Sequence, residues 1–421
     1  MLVYQPVDNP SELAFQVAGT LGDLMEIRPP TEDERGQVAS VLRVSLNLPH
    51  ATLEERASKI PLDELRCAVD GDRLLAVAGG RSFRQWFGGC ELPMSGIWGV
   101  GTLPEHRGTG LASGAIGQIL REARGAGTPL SALYPATLRP YRRLGYELAG
   151  TFTEHQVSLD DLPSVEGDAI DIVEYEPARD LRDVRDCYRR SVQTANGPID
   201  SDEAVWWPQR IMGFATKEQN HRAVVARGPE GVEAYASFVL EKAPGDLDVA
   251  FLIECRHFVF STARGLASML GYFRGFRGLG QALQFTGPPA DPLAMLVEQQ
   301  RVKPEWTFRW MLRLLEVPGA LTGRGYPPVS GEAVIAVEDE MFPENGGPWK
   351  IEADGGAVTV RQSDAGPSPR PIDIRTLSSM YSGYLSPYDG VRLGLLDGDD
   401  PAVPFLARLF SGPAPWMHDF F

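Results

Sequence analysis

Between Val100 and Ala112 a strand-like stretch runs through three glycines into an apolar helical pattern: Val100-Gly101-Thr102-Leu103-Pro104-Glu105-His106-Arg107-Gly108-Thr109-Gly110-Leu111-Ala112. Where a strand hands over to a helix, the first helical amides have no intrahelical acceptor, and the helix dipole gives them partial positive charge. Glycine there lets a pyrophosphate approach with no Cβ in its path, and Arg107 adds a full charge. No Gly-Lys-Ser/Thr follows, so the loop is not that of the nucleotide hydrolases, and no third glycine stands in register for a GxGxxG dinucleotide fingerprint. Taken alone, the run also fits a plain strand–helix turn. One strand further on stands Tyr141-Arg142-Arg143-Leu144-Gly145-Tyr146, and the two strings together are more specific than either.

The elements around these groups follow from periodicity. Met25–Arg28 predicts a short strand, Thr31 with Glu34 a capping box, and Val38, Val41, Leu42 and Ser45 a helix. Cys67–Val69 and Leu74–Phe83 predict strands joined at Asp70-Gly71, and Glu91–Thr102 a longer one after Gly88-Gly89. Leu111, Ala112, Ala115, Ile116, Ile119, Leu120 and Ala123 form an amphipathic stripe, and Pro129–Tyr134 predicts the next strand. After a linker at Asp160–Gly167 the order repeats. Strands are expected at Ile170–Glu176, Ala223–Arg227, Val232–Glu241, Val249–Phe260 and Ala282–Thr286, with helices at Ala178–Val192 and Thr262–Phe276. At the matched strand–helix junction, Arg107-Gly108-Thr109-Gly110-Leu111-Ala112-Ser113 becomes Arg264-Gly265-Leu266-Ala267-Ser268, two residues shorter. That match points to duplication.

A third region begins near Leu314. Val334–Glu338, Trp349–Ala353 and Ala357–Arg361 predict short strands, and Ile372–Tyr384 and Val403–Phe410 helices. The chain ends Trp416-Met417-His418-Asp419-Phe420-Phe421, an aromatic terminus expected to dock rather than fray.

Bulk properties narrow the function classes. The 421 residues exceed one ordinary core and suggest two or three domains. Lys plus Arg total 40 against 56 Asp plus Glu, a net charge of -16. That balance argues against a general nucleic-acid binder and suits cationic partners such as amines or basic peptides, though solubility alone also accounts for it. Cys67, Cys90, Cys187 and Cys255 lie far apart, so buried reduced thiols of a cytosolic protein are expected. The six histidines show no metal-ligand spacing, no stretch reaches a membrane span, and the N-terminus has no secretion-signal pattern.

Arg107, Gly110 and Ala112 with Tyr141, Gly145 and Tyr146 resemble the GNAT acetyltransferase superfamily, and the whole plan is similar to the enhanced-intracellular-survival (Eis) family. The resemblance covers nearly all residues after about 25 and implies an α+β fold. Its parts are an extension over 1–24, a catalytic GNAT domain over 25–160, a degenerate GNAT-like domain over 168–310, and a sterol-carrier-protein-like domain over 311–421 whose tail reaches the active site. It implies acetyl-CoA as donor, held between Trp98 and Tyr146. The backbone at Val100 and Thr102 would take the pantetheine arm, and the amides of Arg107, Gly108, Thr109, Gly110, Leu111 and Ala112 the pyrophosphate. Tyr141 matches the general acid, whose phenol protonates the leaving thiolate. The carboxylate of Phe421 would help deprotonate the amine, with Trp416, Phe420 and Phe421 anchoring it in an apolar channel.

Departures remain. Ala136 stands where the family often has Ser, with Thr137 beside it, and Arg107-Gly108-Thr109 is less basic than in some relatives. Arg264 and Gly265 read as structural. The implied acceptor is an aminoglycoside, a polyamine or a lysine side chain. Glu32, Asp33, Trp86, Trp98 and Trp207 are wall candidates that sequence does not place. A homohexamer and a cytoplasmic setting are implied by resemblance. The rival reading is a lipid-binding or scaffold protein with a vestigial site, and a second rival keeps the enzyme but changes the acyl donor.

Overall fold

The computed structural model describes residues 25–47, 60–164, 169–212, 220–243, 249–364 and 370–421. The extension over 1–24 lies outside them, as do residues 165–167 of the expected linker. The chain divides into two compact units, one from Met1–Arg81, Ser95–Gly127 and Arg139–Leu144, the other from Ser82–Met94, Thr128–Leu138 and Gly145–Phe421.

The first unit contains β1 (Met25–Arg28), α1 (Arg35–Leu46), β2 (Leu65–Asp70), the first part of β3 (Arg73–Phe87), the last part of β4 (Cys90–Thr102), α2 (Leu111–Gly125) and most of α3 (Leu138–Arg143). β2 is antiparallel to β1 and to β3, turning at Gly71, where φ is +56°. Successive strand residues point to opposite faces. Cys67 and Val69 therefore join Val38, Val41 and Leu42 of α1, while Ala68 packs with Leu111 at the start of α2. Each fully buried aliphatic side chain of this kind contributes roughly 1.5–3 kcal/mol. Close packing explains two glycines. A Cβ on Gly80 would lie 2.4 Å from Ile119, and one on Gly101 2.8 Å from Ser45. Before α1, the Thr31 amide donates to Glu34 at 2.7 Å, and Arg28 holds the same carboxylate at 2.6 Å.

The second unit contributes β5 (Leu130–Leu133), β6 (Glu147–Ser158), β7 (Ile172–Glu174), α4 (Pro177–Val192), β8 (Ile199–Asp200), α5 (Trp206–Met212), β9 (Asn220–Gly228), β10 (Gly231–Lys242), β11 (Phe251–Phe260), α6 (Ala263–Arg274), β12 (Gly280–Gly287) and β13 (Lys303–Leu314). Its strands run in the order β5-β13-β6-β12-β11-β10-β9-β7. β11 and β12 are parallel, with α6 as their crossover. β13, unanticipated from sequence, is antiparallel to both β5 and β6.

The remaining elements are α7 (Val317–Gly323), β14 (Gly331–Glu338), β15 (Gly347–Asp354), β16 (Ala357–Gln362), β17 (Ile372–Asp373), α8 (Ile374–Ser382), α9 (Pro387–Arg392) and α10 (Ala402–Leu409), with a sheet of order β16-β15-β14-β17. A buried ion pair links this region to β13. Arg313 donates to Asp339 at 2.8 and 3.0 Å, and Asn345 reaches the same carboxylate at 2.9 Å. Three of the four cysteines are buried, but Cys90 is exposed, because it opens β4 directly after the Gly88-Gly89 turn.

Candidate active site

Val100 and Thr102 stand near the end of β4, where Gly99 takes φ +57°, a conformation that side chains resist. The Thr102 carbonyl accepts from the Ser45 hydroxyl at 3.0 Å, and the next amide, of Leu103, donates to Leu75 at 2.9 Å. Beyond it, Arg107 to Gly110 are exposed. Gly108 and Gly110 are left-handed, with φ of +81° and +87°, and a Cβ on Gly108 would meet nothing within 4 Å. Thr109 turns its hydroxyl back onto the His106 carbonyl at 2.6 Å. Gly110 is the N-cap of α2 and has no side chain to give, so no side-chain cap closes the helix start. An exposed, glycine-lined terminus of a 15-residue helix fits a diphosphate. Of the six predicted loop residues, Gly110, Leu111 and Ala112 form the helix start and Gly108 and Thr109 the loop before it, whereas the Arg107 amide already donates to the Pro104 carbonyl at 3.3 Å, which leaves its side chain as the group that can meet an anion.

Tyr141 lies in the short helix α3 and is buried. Burial pushes its phenol above the ordinary value of 10.0, so it keeps its proton at neutral pH and can donate it. Tyr146, the second phenol of the motif, is fully buried, and its oxygen lies 2.6 Å from the Ser131 hydroxyl. That makes it a packing residue. Gly145 between them has φ +84°, and a Cβ there would fall 1.4 Å from an Arg313 nitrogen. The motif glycine is therefore fixed by the Arg313–Asp339 pair as well as by its turn.

Around the C-terminus, within the second unit, the tail is woven in. The Thr151 amide donates to Pro415 at 3.1 Å, the Met417 amide to Thr151 at 3.1 Å, and the Trp416 amide to Asn196 at 2.9 Å. Gly150 and Gly197 make room, since a Cβ on either would lie 2.7 or 2.5 Å from a tail carbonyl. Asp419 pairs with the buried Arg210 of α5, whose guanidinium lies 4.1 Å from the Tyr188 ring centroid and 4.6 Å from that of Trp207. Tyr134 donates to the Asp419 carbonyl at 2.8 Å. The expected anchors need correction. Met417, His418 and Asp419 are buried, whereas Phe420 is 54% exposed and enters no apolar channel. Phe421 rests its ring on Phe83 at 5.1 Å and Tyr134 at 5.6 Å. Sequence reasoning missed Arg210 and Tyr134, because neither sits in a recognisable string.

Of the wall candidates, Trp86 and Trp207 are core, and Glu32 and Asp33 are exposed, Glu32 being paired with Arg35. Trp98 packs over Gly79, where a Cβ would come within 2.4 Å of it. At the second strand–helix junction, Arg264 is spent on Glu233, which its Nε meets at 2.7 Å. Thr262 caps α6 by accepting from the Gly265 amide at 3.0 Å, and a Cβ on Gly265 would lie 2.8 Å from the Glu233 backbone. Both residues have structural duties there.

Acetyltransferase (GNAT) domain families match residues 26–149 and again 197–314, and a sterol carrier protein domain family matches 317–418. The N-acetyltransferase Eis of Mycobacterium tuberculosis is 26% identical over 314 residues, which cover 70% of this chain and 72% of the relative. An uncharacterized N-acetyltransferase of Streptomyces coelicolor is 27% identical over 325 residues, covering 73% and 74% of the two chains. A GCN5-related N-acetyltransferase from Kribbella flavida superposes with a TM-score of 0.83 at 26% identity, covering 94% of this chain and 98% of the other. The fold is also that of Eis1 from Mycobacterium abscessus, with a TM-score of 0.79 at 21% identity over 94% of this chain and all of that one. These relatives support the enzymatic reading over the lipid-binding one. The chain is a homologue of the Eis N-acetyltransferases, an acetyl-CoA acyltransferase built from two GNAT domains followed by a sterol carrier protein domain.

Proposed function

We propose that the chain moves the acetyl group of acetyl-CoA directly to a primary amine of a cationic acceptor, with Tyr141 as general acid and the carboxylate of Phe421 as general base. The observation that carries the reading is the exposed start of α2, where left-handed Gly108 and Gly110 leave the amides up to Ala112 without a capping side chain. Those amides and Arg107 would hold the pyrophosphate, and the backbone at Val100 and Thr102 the pantetheine arm.

The amine lone pair attacks the thioester carbonyl carbon, a C–N bond forms, and the C–S bond breaks. The departing thiolate takes the Tyr141 proton, which suits a buried phenol that is neutral at working pH. The amine proton passes to the Phe421 carboxylate. An α-carboxylate of pKa about 3.5 is a weak base in water, and a less polar setting strengthens it. The Phe421 ring, lying against Phe83 and Tyr134, supplies apolar surroundings. Aminoglycosides, polyamines and lysine side chains carry the required amine. A homohexamer in the cytoplasm is the assembly and setting that accompany this reading.

Thiol release from acetyl-CoA over a panel of primary amines tests it, using wild type, Tyr141→Phe and a chain extended beyond Phe421. Amine-dependent release that falls about 10²-fold or more in both altered chains is the expected result. Full turnover in the extended chain contradicts the carboxylate role, and full turnover in Tyr141→Phe contradicts the general acid.

A further inference from the structure

Within the second unit, the face shared by β6 and β13 is aromatic and uncovered where most surfaces are polar. Phe308 stands opposite Phe152, and Trp306 opposite Glu154. Along β6 the alternation is strict: Phe152 and Glu154 are half-buried, while Thr151, Thr153 and His155 are buried. Phe152, Glu154, Trp306 and Phe308 therefore lie on one face.

The rings on it form a continuous series. Trp306 and Phe308 are near-parallel at 5.6 Å and 7°, Phe308 and Tyr134 at 5.9 Å and 17°, and Tyr134 and Phe420 at 4.3 Å and 26°. Phe152 meets Trp306 edge-on at 5.6 Å and Phe420 at 6.3 Å. The series ends at Phe421, 5.6 Å from Tyr134, and so at the carboxylate that the proposed reaction uses as base. Trp306 is 48% exposed and Phe420 54%. Contiguous exposed apolar surface of this kind marks a binding face, and ring faces attract cations.

Resting on the acetyl-transfer reading, we infer that this face is the acceptor subsite, and that it selects a primary amine with an apolar body, such as an arylalkylamine. The body lies over Trp306, Phe308 and Phe152, and the amine points to the Phe421 carboxylate. The ratio of rings to charges decides the class. A polyhydroxylated polycation laid on these rings would lose hydration from many hydroxyls and ammoniums and regain few hydrogen bonds. An aryl or alkyl chain loses nothing and buries its own apolar area. Glu154, the carboxylate on this face, is half-buried, with Glu254 and Glu305 near it and Arg256, which pairs with Glu254 at 2.7 Å, offsetting part of their charge; Glu154 is the group on this face that attracts an ammonium.

The test compares kcat/KM for 2-phenylethylamine, ethylamine and an aminoglycoside in the thiol-release assay, on the full chain and on Trp306→Ala, a half-exposed site where folding tolerates the change. Calorimetric titration of 2-phenylethylamine runs alongside. The expected result is a preference for 2-phenylethylamine over ethylamine of about a hundredfold, which falls at least tenfold in Trp306→Ala through KM rather than kcat. An aminoglycoside preferred to 2-phenylethylamine, or a preference that Trp306→Ala leaves in place, overturns the subsite while acetyl transfer stands. Trp306→Ala that splits an oligomer without moving the preference assigns the face to subunit contact and also overturns it. Thiol release with no amine at all contradicts the transfer reading instead. In that case calorimetric binding of 2-phenylethylamine that weakens in Trp306→Ala supports the subsite, and no binding contradicts it.

Discussion

The two GNAT domains carry nearly the same string at the same junction and use it in opposite ways. In the first, Arg107 precedes α2 by four residues, and Gly108 and Gly110 hold the loop left-handed, so the helix starts bare at Leu111. In the second, two residues are missing. Arg264 and Gly265 are drawn into the first turn of α6, Thr262 caps the amides, and Glu233 neutralises the arginine. A cap satisfies the amides that a phosphate would otherwise meet, and an ion pair occupies the charge. Loss of two loop residues thus turns an anion-ready helix start into a packed one. The difference between an uncapped helix start and a structural corner lies in backbone conformation as well as in the two missing residues.

The largest effect expected follows from a group that only the first domain's motif carries. Tyr141→Phe should lower kcat about 10²- to 10⁴-fold and leave CoA affinity within about twofold, as steady-state kinetics and calorimetry together would show. Loss of CoA affinity instead would make Tyr141 a binding residue.

The glycines then separate the two junctions. Gly110→Val forces a branched side chain into the left-handed region, at a cost of roughly 1–2 kcal/mol, and places it at the approach of the proposed phosphate. CoA affinity should fall about tenfold or more. Gly265→Ala, whose Cβ meets the Glu233 backbone, should instead lower unfolding stability by about 1–3 kcal/mol and leave CoA binding in place. Equal effects of the two substitutions on CoA affinity would erase the distinction.

Smaller again is Thr262→Ala, which removes the cap of α6. About 1 kcal/mol of stability should be lost in denaturant unfolding, with no new CoA site appearing. A second equivalent of CoA in that variant would mean that the cap alone silences the second domain.

The tail gives a pH counterpart. Burial, Arg210 and, for His257, its neighbour His418 hold both imidazoles well below the ordinary 6.5. Unfolded, they bind protons as pH falls through 6.5; folded, they do not. Their contribution to stability is therefore complete above about pH 6.5 and declines below it. Thermal midpoints from pH 8 to 5 should fall toward acid, and less steeply in His418→Phe.

Much of this was legible in the sequence because it rests on local pattern. Glycines between a strand and a helix, a stripe such as Ala115–Ile116–Ile119–Leu120, and the Arg-Gly-Leu-Ala-Ser echo each report on neighbours in the chain. What was missed is long-range. β13 has a period-two run at Trp306, Phe308 and Trp310, yet nothing local says that it enters between β5 and β6. Arg210 and Asp419 are 209 residues apart, and Gly145 answers to Arg313. Phe420 was expected in a channel because aromatic termini bury themselves. The ion pair at Asp419 anchors the tail one residue earlier, which frees Phe420 to extend the aromatic face.

On the proposed reading, the uncapped start of α2 alone holds the donor. Calorimetric titration of CoA into the full chain, its Gly110→Val variant and its Thr262→Ala variant tests it directly. One equivalent per chain, weakened by Gly110→Val and unchanged by Thr262→Ala, is the predicted result. Two equivalents, or full affinity in Gly110→Val, would contradict it.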